Sequence, residues 1–206
     1  VRAPVADGVL VELMGALPDM AESFRKDYGV TGFLRGMKGG LELNVAQVFE
    51  PTCTICGLDS GYQGAGSKTV LPARATAKVD FRMVPDQIPA EIVKLLRQHL
   101  DAEGFADVAI NVMGGEAAGR TDPDHPFLKL VAESAAPVYG VPMQIVPMIG
   151  GSGPNHAFIE ELGVPVATAG FGHPDTRAHA PDENLRIDYY VKHAKHVARL
   201  LEAFGS

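Results

Sequence analysis

The sequence predicts an α/β protein built in two parts, and three patterns support that prediction. Apolar and polar side chains alternate strictly over residues 73–83, which is the period of a strand with one buried face. An apolar stripe with helical spacing follows from Ile88 to Leu100. Beyond Pro123 helical and strand patterns alternate, which favours a mostly parallel sheet covered by helices.

The first part, residues 1–115, is predicted to be a helical segment followed by a strand–strand–helix–strand unit. Its predicted elements are short helices within 9–36, strands over 51–58 and 73–83, a helix that begins near Pro89 and ends by Gly104, and a strand over 108–112. Alternation puts the odd-numbered residues of strand 73–83 on the face that we expect to be buried.

The second part, residues 116–206, follows a boundary marked by glycines and Pro123. Its predicted elements are helices over 127–139, 154–162 and 188–204 and strands over 143–147 and 164–169. Ligands of such sheets bind beyond the carboxyl ends of the strands, so the loops over 148–154 and 170–183 are candidate binding loops.

Composition and charge argue against several classes of partner. The 206 residues carry a net charge of −7 without a run of Lys or Arg, whereas a nucleic-acid binder needs a basic surface. No apolar stretch is long enough to cross a bilayer, and Val1–Pro4 does not resemble a signal peptide. The chain begins without Met, as an excised segment would, and we expect it to be cytoplasmic with no membrane partner.

Cys53 and Cys56 form a single Cys-x-x-Cys pair. A structural zinc site normally needs two such pairs, and a redox pair usually opens a helix. Here the surroundings predict a strand, on which residues three apart point to opposite faces. We therefore expect two packed thiols without a shared function.

Two glycine-rich loops could bind an anion. The loop over 61–68 ends in Lys68 like a phosphate-binding loop, but Ser67 precedes the lysine and a strand follows, so we do not expect a nucleotide there. The loop over 150–154 precedes a predicted helix, where free N–H groups and the Ser152 hydroxyl could hold a carboxylate. The alternative, that Ser152 only caps that helix, stays open.

The histidines offer one candidate metal site. His193 and His196 lie three apart on the last helix. We expect them at its solvated edge, because the buried face is predicted to be formed by Tyr190, Ala194, Val197 and Leu201. His173 and His179 share the loop over 170–183 with several carboxylates, a composition that suits a metal site. One loop cannot supply every ligand, so a structural role for these histidines stays open.

Five motifs in a fixed order over residues 50–185 resemble one family of enzymes. They are PTCTICGLDSGY (51–62), KTVLP (68–72), DFRMVP (80–85), GGSGP (150–154) and AHAPDE (178–183). Together they resemble the dinuclear-zinc metallopeptidases that include carnosinase, cytosolic nonspecific dipeptidase, aminoacylase and succinyl-diaminopimelate desuccinylase. The dipeptidase branch is the most similar.

The resemblance implies a ferredoxin-like α+β lid and dimerisation domain, incomplete here, followed by the C-terminal part of a zinc-peptidase α/β catalytic domain. Residues 1–115 would hold the last lid elements with a preceding helical connection, and 116–206 the catalytic segment. It also implies a homodimer formed through the lid and two zinc ions per active site, with manganese as a possible substitute. Most of the family's metal ligands and its general-base glutamate precede the matched segment, so we expect the chain alone to be inactive.

The resemblance assigns roles to five residues but no catalytic base. His179 matches the family's last metal ligand, and His125 matches a histidine near the active site. Arg82, Thr69 and Ser152 match residues that grip the substrate, chiefly its carboxylate. The chemistry suits Arg82, because a guanidinium on the polar face of a strand can bind a carboxylate through two parallel hydrogen bonds.

The implied activity is hydrolysis of a dipeptide or an N-acyl amino acid by a metal-activated water. Two functions of other classes stay open. The chain could be a non-catalytic dimerisation or binding module derived from the family, whose folding and partners would not depend on metal. It could also bind a small anion or nucleotide through its glycine loops, which a binding screen would reveal.

Overall fold

The computed structural model describes residues 8–205 and contains six α-helices, three short helical turns and one pair of strands. The helices are α1 (Gly8–Ala16), α2 (Ala21–Tyr28), α3 (Gly40–Phe49), α4 (Pro89–Ala102), α5 (Pro126–Tyr139) and α6 (Ile187–Phe204). The strands are β1 (Thr52–Ser60) and β2 (Ala75–Arg82). The short turns are Leu34–Gly36, Ala157–Glu161 and Pro174–Thr176. Val1–Pro4, compared above with a signal peptide, lies outside the described residues.

The chain folds as two compact units. Phe49–Ala118 form the first, which contains both strands and α4, and the described residues of Val5–Val48 and Gly119–Ser206 form the second. The contacts thus assign α1, α2 and most of α3 to the second unit, and the predicted division into domains 1–115 and 116–206 stays a prediction. None of the described helices combines the length and apolar character needed to cross a membrane.

In the first unit β1 and β2 pair antiparallel, and a bulge keeps one face of the pair apolar. Ile55 is paired with Val79 and Leu58 with Ala77, although Ile55 and Leu58 are three residues apart. The register shifts at Cys56, which is the extra residue of the bulge. Because a bulge displaces the alternation by one position, both large apolar residues of β1 lie on the same face.

The prediction of two packed thiols is wrong, because Cys53 and Cys56 are both exposed. Cys53 is paired with Phe81 and so shares the apolar face of the strand pair. Cys56 lies in the bulge, where its thiol donates to the carbonyl of Lys78 at 3.5 Å. The bulge removes this thiol from the alternation on which the prediction depended.

Most of the apolar face that was predicted to be buried is exposed. Val79 is 37% exposed and Ile55, its partner, 68%. Burial is greater at the end near α4, where Phe81 and Met83 are half-buried. There the two strands and α4 line an apolar cavity of about 340 Å³. Alternation predicts which side chains share a face, but only a packing partner can cover that face.

Three segments with a strand pattern belong to no ladder among the described residues: 108–112, 143–147 and 164–169. In the first and third of these segments, other contacts bond backbone groups instead. The N–H of Val108 donates to the carbonyl of Phe105 at 3.1 Å, and the guanidinium of Arg97 binds the carbonyls of both residues. The hydroxyl of Thr121 accepts from the N–H of Val166 at 2.8 Å and donates to its carbonyl at 2.9 Å.

The helices α2 and α3 pack on a small core, and the carboxylate of Asp19 lies beside it. That core contains Ala21, Met37 and Leu43 with Phe24, Phe33 and Ala46 against them. The backbone N–H groups of Gly40 and Ala21, at the starts of α3 and α2, donate to Asp19 and hold the pKa of its carboxyl below the ordinary value of 3.8. Gly39 is required beside them, because a Cβ there would lie 2.7 Å from the Asp19 Oδ1.

A buried histidine joins α5 and α6. His196 is 2% exposed, and its Nε2 lies 3.1 Å from the carbonyl of Val131 and 3.2 Å from the hydroxyl of Ser134. A carbonyl can only accept, so Nε2 carries the hydrogen. The prediction of a solvated edge at His193 and His196 is therefore wrong for His196, whereas Leu201, expected on the buried face, is 67% exposed. The carbonyl of Val131 and the hydroxyl of Ser134 on α5 favour a hydrogen-bonding side chain at position 196 over an apolar one.

We expect Asp19→Asn to remove stability in a pH-dependent way. The folded-state pKa of Asp19 lies below 3.8, so the carboxylate stabilises the fold above that value and loses its contribution as the pH falls through the folded-state pKa. Urea unfolding should show a less stable variant near about pH 6, with the difference shrinking toward about pH 3. Glu22→Gln, at an exposed carboxylate on α2, is the control. A difference of the same size at both pH values would contradict this role.

We expect His196→Leu to lower the free energy of unfolding by about 1–3 kcal/mol, because the buried carbonyl of Val131 loses a donor while apolar volume is kept. Lys195→Ala, at the exposed neighbouring position on α6, should change it by less than about 0.5 kcal/mol. Chemical denaturation of the three proteins makes the comparison. Equal stability of His196→Leu and the parent would show that the buried bond contributes nothing.

Candidate functional site

The loop that carries His179 is organised as two successive turns. In the first, the N–H of Thr176 donates to the carbonyl of His173 at 2.9 Å, and the N–H of His173 donates to the Thr176 hydroxyl at 3.1 Å. In the second, the N–H of Ala180 donates to the carbonyl of Arg177 at 2.9 Å. His179 is the third residue of that second turn, and its side chain is exposed.

Asn184 connects the two ends of this loop. Its side-chain carbonyl lies 2.9 Å from Nε2 of His173, and its side-chain amide donates to the carbonyls of Asp175 at 2.8 Å and Asp182 at 3.1 Å. Its backbone N–H donates to the carbonyl of Thr176 at 3.0 Å. One residue therefore contacts both sides of the turn that presents His179.

His179 itself has the chemistry of a metal ligand. It has a φ of 61°, and an imidazole exposed on a turn can approach a cation. No three His, Cys, Asp or Glu side chains of the described residues come together in a way that could hold a metal ion. The part of the chain that the structure describes can therefore contribute a ligand to a metal site but does not assemble one.

Arg82 ends β2 on the polar face of the strand pair. Its Nε lies 2.8 Å from the Oδ1 of Asp80, two residues earlier on the same face, and both side chains are nearly half exposed. The ion pair orients the guanidinium plane, and a guanidinium held in one orientation can offer parallel N–H groups to a carboxylate.

His125 is the N-cap of α5. Its Nδ1 accepts a hydrogen bond from the backbone N–H of Phe127 at 3.1 Å. Because Nδ1 is an acceptor, the neutral ring carries its hydrogen on Nε2. The cap thus fixes both the tautomer and the orientation of the half-buried ring, leaving Nε2 as the donor.

Thr69 and Ser152 lie on exposed loops outside any helix or strand. The predicted helix over 154–162 is reduced to a π turn at Ala157–Glu161, so Ser152 does not cap a helix and the loop does not form a helical anion site. The segment just after this loop lies close to Gly119, where an added Cβ would lie 2.9 Å from backbone atoms of His156. The binding roles of Thr69 and Ser152 stay predictions.

The five predicted site residues divide between the units. Thr69 and Arg82 belong to the first, and His125, Ser152 and His179 to the second. Asn184 was missed from the sequence, because its bonding partners His173 and Asp175 precede it by eleven and nine residues and form no local motif with it. The only sequence signal was its place at the end of a loop already noted for histidines and carboxylates.

Comparison with known proteins identifies the family of the chain. A family model described as a peptidase dimerisation domain matches residues 6–108. A Cys-Gly metallodipeptidase of Schizosaccharomyces pombe is 28% identical over 151 residues, which are 70% of this chain and 32% of that protein. A Cys-Gly metallodipeptidase of Candida albicans is 29% identical over 161 residues, 75% of this chain and 33% of that protein. The chain thus spans about a third of the length of these curated relatives.

Solved structures resemble nearly the whole chain. A metallo-carboxypeptidase of the M20 family from Sulfolobus solfataricus matches 98% of this chain and 46% of its own, with a TM-score of 0.87 and 35% identity. The dipeptidase Dug1p from Saccharomyces cerevisiae matches 98% of this chain and 43% of its own, with a TM-score of 0.84 and 24% identity, which shows a shared fold. These likenesses confirm the predicted α/β class.

Proposed function

Since this chain belongs to the peptidase dimerisation domain family, we propose that it is part of a metallopeptidase that hydrolyses dipeptides or N-acyl amino acids. The observation that carries the proposal is the likeness to named metallodipeptidases. Those matches extend over 151 and 161 residues, more than the 6–108 span of the dimerisation domain alone. A match over at least 70% of the chain must extend beyond Ala118, so the likeness includes part of the second unit's later segment, in which His125 lies.

The residues of this chain would bind the metal and the substrate. A metal pair, zinc or in its place manganese, supplies a Lewis acid and an activated water when bound. The His179 imidazole would contribute one ligand from its exposed turn. Arg82, oriented by Asp80, would grip the substrate carboxylate together with Thr69 and Ser152.

His125 would act on the substrate as a neutral donor. Its Nδ1 is engaged with the start of α5, so its Nε2–H is the group available to a substrate oxygen. Such a donor needs no proton exchange with solvent, which suits a binding role rather than that of a general base. This chain has no residue to which we assign the catalytic base.

The resemblance to this family also carries a proposal for the assembly, location and metal content of the protein. We propose a homodimer formed through the dimerisation domain, a cytoplasmic location and two zinc ions per active site. The described residues gather no set of three metal ligands. We therefore propose that residues outside this chain complete the site, and that the 206-residue chain alone has no appreciable peptidase activity.

We expect His179→Ala to weaken metal binding in the full-length protein that carries this chain. Loss of one imidazole ligand should raise the Kd for zinc by at least about tenfold, since even partners behind the ligands change affinity by 10–100-fold. Metal content after dialysis and zinc titration measure the effect. His99→Ala, at an exposed histidine of the first unit, is the control. Unchanged zinc binding in His179→Ala would contradict the proposed ligand.

We expect Arg82→Lys to raise KM for dipeptides by roughly tenfold or more, although the charge is kept, because an ammonium cannot reproduce two parallel N–H groups. Steady-state kinetics of the full-length protein measure the change. Arg74→Lys, at an exposed arginine just before β2, should behave as the parent. If Arg82→Lys also retains the parent KM for substrates with a free carboxylate, Arg82 is not the carboxylate grip.

A further inference from the structure

We propose that Asn184 is the positioning residue that holds the turn of His179 in its binding conformation. This inference deepens the proposed function and rests on it, because it concerns the presentation of the His179 imidazole to a metal. It is carried by two independent observations in the same loop. One is the backbone conformation of the turn, and the other is the hydrogen bonding of Asn184.

The turn that presents His179 has an unfavourable backbone conformation. Five described residues other than glycine have a positive φ, and three of them are Arg177 at 54°, His179 at 61° and Asp182 at 62°. The left-handed region costs an L-residue of this kind about 1–2 kcal/mol, with Asp and His among the residues that tolerate it better. Three such residues within six positions persist only where surrounding bonds over-determine them.

Asn184 supplies those bonds. Its backbone N–H, its side-chain oxygen and its side-chain amide all form hydrogen bonds. Its side-chain amide donates to the carbonyls of Asp175 and Asp182, so the oxygen of that amide must face His173. An amide oxygen only accepts, and Nε2 of His173 is therefore the donor. The side-chain orientation of Asn184 follows from three mutually consistent bonds.

The position of these bonds explains their effect on His179. The backbone N–H of Asn184 bonds the carbonyl of Thr176, and its side chain bonds that of Asp182. Thr176 and Asp182 lie three residues before and three residues after His179. Asn184 thus holds both sides of the turn without contacting the imidazole, and His179 is left exposed to a ligand.

This arrangement also gives His173 a role other than metal binding. Its Nε2 is engaged with Asn184 and its backbone with Thr176, so it belongs to the support of the turn. His173 and His179, which the sequence placed together as possible ligands, are therefore separated into one supporting and one presented histidine.

The test uses Asn184→Leu in the full-length protein that carries this chain. The leucine has a similar volume but removes all three side-chain bonds, and Asn184→Asp is the second variant because it keeps an acceptor for His173 while losing the amide donors. The first readout is hydrogen exchange of the Thr176 and Ala180 amides, which are bonded within the two turns, in the metal-free protein. The second is Co²⁺ titration, followed by the visible absorption spectrum of the bound ion. Asn111→Leu, at an exposed asparagine of the first unit, is the matched control.

We expect both Asn184 variants to accelerate exchange of the Thr176 and Ala180 amides by at least about tenfold. We also expect them to raise the Kd for Co²⁺ by about 10–100-fold, with an altered spectrum. The control should match the parent in both readouts. Parent-like exchange and an unchanged Co²⁺ spectrum in both variants would overturn the proposal. If His179→Ala leaves Co²⁺ binding unchanged, the proposed ligand fails, whereas the exchange rates still decide whether Asn184 holds the turn.

Discussion

Backbone groups that neither a helix nor a ladder pairs must find other partners, and in this protein side chains provide many of them. Asn44 donates to the carbonyl of Met14 at 3.3 Å inside the second unit, where it is only 4% exposed. The hydroxyl of Thr121 forms hydrogen bonds with both the N–H and the carbonyl of Val166. Because a buried and unpaired amide or carbonyl costs more than a typical hydrogen bond contributes, the irregular segments depend on these few polar residues.

The candidate site follows the same rule at the surface. Its two turns are largely exposed, so their conformation comes from hydrogen bonds and from residues that tolerate a positive φ. Asp182 tolerates its φ of 62° because Asp populates the left-handed region more readily than most residues. A histidine presented from such a turn is open to a ligand yet restricted in position, which is the combination that metal binding requires.

In the first unit, the local geometry of the strand pair separates apolar side chains from the charged pair Asp80 and Arg82. The bulge at Cys56 collects the large apolar residues of β1 and β2 on one face, and the opposite face carries Arg82 and Asp80. The Asp80–Arg82 ion pair, where we propose that a substrate carboxylate binds, and the apolar face thereby lie on opposite sides of the same two strands. The chain spans about a third of the length of its curated relatives. Of this unit, the proposed activity would involve the polar face, which carries Arg82.

The sequence by itself determined the elements whose signals are local. Helices predicted over 127–139 and 188–204 are observed within one residue, because helical periodicity and the bonds that satisfy it lie within a few residues of each other. The family motifs also predict His179 and Arg82 as site residues, and those roles stay predictions. Tertiary structure decided what depends on a distant partner: whether strand patterns find a ladder, which face of α6 is buried at His196, and how Asn184 reaches back to His173. Burial and hydrogen bonding between distant residues are properties of the packed chain, and no local pattern encodes them.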